Sequence, residues 1–176
     1  MKNQKLYTTR PNIVSFLYFL TIYLMIIKIG KFNQKKKILD FGSGLGYLKK
    51  INKKLNNPSK IINYDKIAEL SEIKKWDNQK FDTVVFCQSA YMLSRRELNS
   101  VLRRIKRKNQ KIEIIVALST RSFLNRLMSK ILGHKDAYTG LKLTPKIEEQ
   151  EFLKNCKIMS KVSFLNLFKV FLLRFK

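Results

Sequence analysis

The residues best equipped for chemistry are concentrated in one stretch, Ile38-Leu39-Asp40-Phe41-Gly42-Ser43-Gly44-Leu45-Gly46. An acid stands near the end of an apolar run, and glycines follow at every second position. Glycine lets the chain turn tightly and lets a ligand approach the backbone with no Cβ in the way. Leu45, Leu48, Ile51 and Leu55 then recur at helical spacing, so the loop feeds a helix whose first amide donors are free for a ligand. A second acid, Asp65, closes the next apolar run. The single histidine, His134, lies in the polar segment Gly133-His134-Lys135-Asp136-Ala137-Tyr138-Thr139-Gly140. There His134 could act as a general base oriented by Asp136, or both could be ordinary residues beside a glycine turn. Cys87 and Cys156 are too few for a disulfide framework and lack metal-ligand spacing. Cys87, at the end of an apolar run, reads as an inert thiol.

Positioning these groups requires a sheet. From Lys35 onward short apolar runs alternate with amphipathic segments, the pattern of an α/β domain. The spacing predicts strands over 38–41, 60–64, 81–87 and 112–118. It predicts a helix over 94–106, opened by Ser94 and Glu97 in capping-box spacing, with Leu98, Val101, Leu102 and Ile105 on its apolar face. Thr144-Pro145 predicts a helix start for 146–155, and the tail reads as two strands, 157–164 and 168–175.

Residues 1–34 read as a separate unit, a basic flank followed by an uncharged run from Ile13 to Ile27. No small-residue cleavage site follows the run, so it does not read as a secretory signal. A membrane span needs about 20 apolar residues, and this run falls short. Two readings remain: a helix packed on its own domain, or peripheral membrane contact through residues 10–31, where Arg10, Lys28 and Lys31 could meet lipid phosphates. A thin polar stripe at Ser15, Tyr18, Thr21 and Lys28 suits both.

The whole chain has 176 residues, 45% of them hydrophobic and 28% charged, which favours one packed domain over disorder. Six glycines and three prolines exclude collagen-like and low-complexity architectures. The net charge of +25 would ordinarily point to nucleic acid or an anionic surface. Here, however, 28 of the 37 basic residues are Lys, beside 18 Ile and 13 Asn, residues with A/T-rich codons. The lysines are also spread along the chain, so the charge is a weak pointer to a partner. The cysteine usage fits the reduced cytoplasm, with the inner membrane face as the alternative location.

The dinucleotide-binding pattern G-x-G-x-x-G would put its third glycine at position 47, where Tyr47 stands. The actual spacing, Asp40-x-Gly42-x-Gly44-x-Gly46, resembles the first motif of the class I S-adenosylmethionine-dependent methyltransferases. Asp65 about twenty residues on, the Phe81-Asp82 pair opening a later strand, and the element order from Lys35 to Lys176 extend the resemblance. It implies a three-layer Rossmann-like sandwich over 35–176, with a mostly parallel, seven-stranded or reduced sheet and an antiparallel last strand. The implied cofactor is S-adenosyl-L-methionine, held by Asp40, Gly42, Ser43, Gly44 and Gly46, with Asp65 accepting from its ribose hydroxyls. Gln88 and Ser89 would lie beside the methionine part and the methyl group.

The departures from that family are specific. Only fifteen residues separate Asp65 from Phe81, so the family's second helix is expected to shrink to a turn over 67–70, with a short strand near 72–76. Asp77 and Glu72 are both candidates for an acid on the adenine amine, and Trp76 could stack on adenine or belong to the core. Asp82 reads as structural. Tyr91 and Met92 stand where many relatives acting on small molecules carry Glu-His, and residues 107–110 replace a glycine-rich turn. The leading expectation is methyl transfer to a small-molecule or lipid-like acceptor. RNA methylation is the alternative suggested by the charge, although Gln88-Ser89-Ala90-Tyr91 does not match the Asn/Asp-Pro-Pro-aromatic motif of amino-group nucleic-acid methylases. A non-catalytic partner of the same fold is the third reading.

Overall fold

A computed structural model describes residues 13–120 and 141–176. The chain opens with helix α1 (Ile13–Ile29), strand β1 (Lys37–Phe41), helix α2 (Tyr47–Lys54) and strand β2 (Lys60–Tyr64). Strand β3 (Thr83–Cys87), helix α3 (Arg95–Lys108) and strand β4 (Glu113–Ser119) follow. Helix α4 (Pro145–Asn155) and strands β5 (Cys156–Phe164) and β6 (Phe168–Phe175) close the chain. One six-stranded sheet runs in the order β2-β1-β3-β4-β6-β5. Strands β2, β1, β3 and β4 are parallel, and β6 is antiparallel to both β4 and β5.

Among the described residues the sheet has six strands, the reduced form of the expected seven; the short strand expected near 72–76 is what is lacking. Residues 72–76 form no strand; the segment runs as irregular chain and ends in a 3₁₀ turn at Trp76–Asn78. The expected turn after Asp65 is present as a 3₁₀ turn, Ala68–Leu70. Fifteen residues cannot supply a helix, its connections and a strand, so β2 becomes the sheet edge. Glu72 holds that edge by accepting from the Asn63 amide and pairing with Lys49.

Strand alternation divides the core into two layers. Leu39, Phe41, Val84 and Phe86 face α3 and α4, where Trp76 joins them at 4% exposure. Trp76 is therefore a core residue, edge-on to Phe41 and covered by the Arg104 guanidinium. Ile38, Val85, Ile115 and Val170 face the other way, onto α1 and α2. Both caps read from sequence are formed: in the α3 capping box Ser94 accepts from the Glu97 amide while Glu97 accepts from the Ser94 amide, and the Thr144 hydroxyl caps α4 by accepting from the Ile147 amide. Asp82 is structural, accepting from the Lys37 amide at 2.8 Å.

Helix α1 lies on the sheet with Ile22, Tyr23, Ile26 and Ile29 buried. Of the anticipated polar stripe, Tyr18 turns inward: its hydroxyl accepts from Gln88 Nε2 at 2.9 Å and lies 3.4 Å from Ser119 Oγ. No helix among the described residues is long and apolar enough to cross a membrane. Phe168 anchors this layer, fully buried and edge-on to Tyr18 at 5.6 Å. Phe168→Ala is expected to cost about 3–5 kcal/mol of stability in urea denaturation, the range for a large buried aromatic. A cost under about 1 kcal/mol would show that α1 is not held by this contact.

Candidate functional site at the carboxyl ends of the strands

The glycine loop leaves the end of β1 and wraps the end of β2. The Gly42 and Ser43 amides both donate to the Tyr64 carbonyl, at 2.7 and 3.1 Å. Gly42, Gly44 and Gly46 all have positive φ, 77°, 52° and 67°. At Gly42 and Gly46 space adds a second demand. A Cβ on Gly42 would meet Ser89 Cβ at 2.4 Å, and one on Gly46 would meet Asn63 Nδ2 at 2.5 Å. The sequence thus has glycine where the loop is pressed between β2 and the segment after β3.

Asp65 joins these pieces. Its Oδ2 accepts from the Gly44 amide and its Oδ1 from the Ile67 amide, each at 3.0 Å. Two carboxylate oxygens have more lone pairs than these two amides use, so Asp65 keeps acceptor capacity for hydroxyl donors. Beside it opens a cavity of about 270 Å³. Of the residues expected at a cofactor site, Gly42, Ser43, Gly44, Asp65, Gln88 and Ser89 line it. Gly46 supports the loop from behind, at the start of α2.

Asp40 is held deeper, on the α1 face of the sheet with Cys87, and only 2% exposed. Its Oδ1 has no hydrogen-bond partner among the described residues. Burial, with the Asp65 charge as a smaller contribution, pushes its carboxyl up to about 7. Burial likewise raises the Cys87 thiol, with Asp40 adding to the effect, in keeping with an inert cysteine. Tyr23, also raised by burial and by the neighbouring Cys87 and Asp40, completes this cluster, and both Tyr23 and Cys87 reach the cavity wall.

Two of the cavity-lining groups are tied into the fold as well. The Ser89 hydroxyl donates to the Phe41 carbonyl at 2.5 Å, clamping the post-β3 segment to β1. Gln88, at φ 49°, directs its amide to Tyr18. Asp77 and Glu72, the adenine candidates, do not line the cavity. Asp77 is drawn to Arg104 instead, which lowers its pKa. His134 and Asp136 lie outside the described residues.

Sequence reasoning gave α1 no individual site residues, yet Phe19 and Tyr23 form one wall of the cavity. Their i, i+4 spacing on an otherwise uniform apolar helix was the only signal. Lys66, Ile67, Tyr91, Met92 and Leu93 complete the rim. Apart from Lys66, that lining is apolar or aromatic.

No protein-family model and no curated protein matches the sequence. Solved structures do match the fold. The PH0226 protein from Pyrococcus horikoshii OT3 superposes with a TM-score of 0.69 at 15% identity, covering 94% of this chain and 93% of that one. Magnesium protoporphyrin IX methyltransferase (ChlM) from Synechocystis PCC 6803, solved with bound SAH, gives 0.52 at 12% identity, covering 98% and 92%. Human N-acetylserotonin methyltransferase, solved with SAM, gives 0.55 at 16% identity, and the match spans 78% of this chain but 47% of that enzyme. The chain therefore has the Rossmann-like α/β fold of the class I methyltransferases, in a six-stranded form.

The buried carboxyl gives a direct test of the site's electrostatics. A group whose folded pKa is raised to about 7 favours the folded state while protonated. Its contribution is present near pH 4 and is lost as pH rises to about 7, by at most about 4 kcal/mol. Glu148, pushed up to about 8 by burial, acts in the same direction. Urea denaturation between pH 4.5 and 8 is expected to show stability falling with pH, and Asp40→Asn should flatten that slope and exceed wild type at pH 8. A parallel pair of profiles would contradict the buried placement of Asp40.

Proposed function

We propose that this chain is an S-adenosyl-L-methionine-dependent methyltransferase acting on a small-molecule or lipid-like acceptor. The observation that carries the reading is the meeting of Asp65 and the glycine loop at the rim of one cavity. The ligand implied by the fold has a ribose diol, an ammonium and a sulfonium. Asp65 retains acceptor capacity for the diol and the glycine loop leaves room for close approach. We assign to the ligand's cationic end the Asp40 carboxyl behind the loop, whose Oδ1 has no partner among the described residues. Gly42, Ser43, Gly44, Gln88 and Ser89 would line the remainder. SAH and SAM bound to two proteins of this fold support the same choice.

When bound, S-adenosyl-L-methionine supplies an activated methyl group on a sulfonium. The chain's own task is to orient the acceptor and exclude water. Phe19 and Tyr23 of α1, with Tyr91, Met92 and Leu93, provide apolar walls suited to a small or greasy acceptor. For a hydroxyl acceptor, we assign His134 as general base and Asp136 as its orienting partner. Part of the basic surface that would favour RNA is already committed: Arg104 lies over Trp76 and pairs with Asp77, and Lys108 lies over Phe81.

Calorimetry with S-adenosylhomocysteine tests the site. Wild type should bind it and not NAD, with affinity increasing as pH rises to about 7 and Asp40 ionises. Gly44→Asp should abolish binding, because a second carboxylate would crowd Asp65 at a backbone with φ 52°. Asp65→Ala should weaken binding by about tenfold or more, the worth of a charge-assisted contact. Binding retained in Gly44→Asp would contradict the placement, and a wild-type chain that binds neither ligand would be a non-catalytic scaffold. Transfer of labelled methyl to lipid, metabolite and RNA fractions then identifies the acceptor class; label confined to RNA would replace the small-acceptor reading.

A further inference from the structure

A helix lying on a protein surface normally presents polar residues outward. Helix α1 does not. Its solvent side carries Ile13, Phe16, Leu17 and Leu24, exposed by 76, 41, 53 and 43%. The β5–β6 hairpin packs beside this helix: its buried Phe168 lies edge-on to Tyr18 of α1 and is stacked on Phe164. At the hairpin's turn Leu165 is 66% exposed, with Val162 and Phe164 beside it on β5. Isolated exposed leucines are ordinary, but several on one helix and on the hairpin packed beside it mark a contact surface.

We propose that this face docks on an anionic lipid bilayer, with α1 lying in the plane of the headgroups. Charge selects the occupant. Lys28 and Lys31 stand exposed at the end of α1, Lys157 is exposed on β5, and the chain carries +25 overall. A second copy of the same chain would be repelled, whereas acidic headgroups are attracted to the same lysines that flank the apolar residues. Over its described residues α1 is not long and apolar enough to cross a membrane, which favours shallow burial of one face. The flank of α1 next to this face supplies Phe19 and Tyr23 to the cavity, so docking would hold the cavity near the lipid surface. The link to a lipid-like acceptor rests on the methyltransferase reading; the docking itself does not.

The test is co-sedimentation of the full chain with vesicles of phosphatidylcholine alone and of phosphatidylcholine mixed with phosphatidylglycerol. Binding is expected to the mixed vesicles and to weaken as salt is raised. The triple variant Leu17→Gln, Leu24→Gln, Leu165→Gln keeps the charge and replaces only exposed side chains, so circular dichroism should be unchanged. Its vesicle affinity should fall by about tenfold or more. Lys28→Gln with Lys31→Gln should weaken binding and reduce its salt dependence. The proposal is overturned if wild type ignores the mixed vesicles, if the triple variant binds them undiminished, or if sedimentation shows a dimer that the triple variant abolishes. S-adenosylhomocysteine calorimetry on the same samples separates the two claims. Loss of vesicle binding with cofactor binding intact removes the docking alone, and the reverse removes the enzymatic reading alone.

Discussion

The site depends on one carboxylate joining two strand ends. Asp65 leaves the end of β2 and accepts from an amide in the glycine loop after β1 and from another in its own turn. Charge-assisted bonds of this kind are stronger than neutral ones, and here they fix the spacing of two segments far apart in sequence. The glycines are consequences of that closeness. With the loop drawn over β2 and clamped by Ser89 on Phe41, positions 42 and 46 have no room for a side chain and a backbone that side chains avoid.

Against this fixed rim the interior is left unbalanced. Asp40 places a carboxyl in the layer formed by α1, α2 and the sheet, beside the buried Tyr23 phenol and the partly buried Cys87 thiol. An apolar residue there would pack without electrostatic cost, so the carboxyl is an unfavourable choice for stability alone. Groups displaced from their ordinary titration range by burial, next to a cavity, are characteristic of binding sites. Helix α1 makes the imbalance possible, since its Tyr23 closes the layer over Asp40 while Phe19 and Tyr23 also wall the cavity.

Local signals in the chain were enough for most of the fold. The end of β2 at Tyr64, the capping box of α3, the hydroxyl cap of α4 and the antiparallel pair at the tail follow from periodicity, hydroxyl caps and turn residues. The missing strand was harder to read, because Glu72 to Trp76 has the apolar content of a short strand while the chain around it is too short to deliver one to the sheet edge. At the site, Asp65 and the glycines were legible because their types are required by backbone geometry. Phe19 and Tyr23 were not, because a helix apolar on all sides gives no hint of which side meets a cavity. Trp76 shows the converse: an aromatic that could stack on a base is instead held between Phe41 and Arg104.

The central claim is that the loop over residues 42–46 and the turn at Asp65 form one ligand-binding rim. Amide chemical shifts of ¹⁵N-labelled protein during titration with S-adenosylhomocysteine address it residue by residue. The account predicts saturable shifts at Gly42, Gly44, Ile67 and Ser89, with β5 unmoved. A titration that left those four amides in place, or moved only residues remote from the ends of β1 and β2, would contradict it.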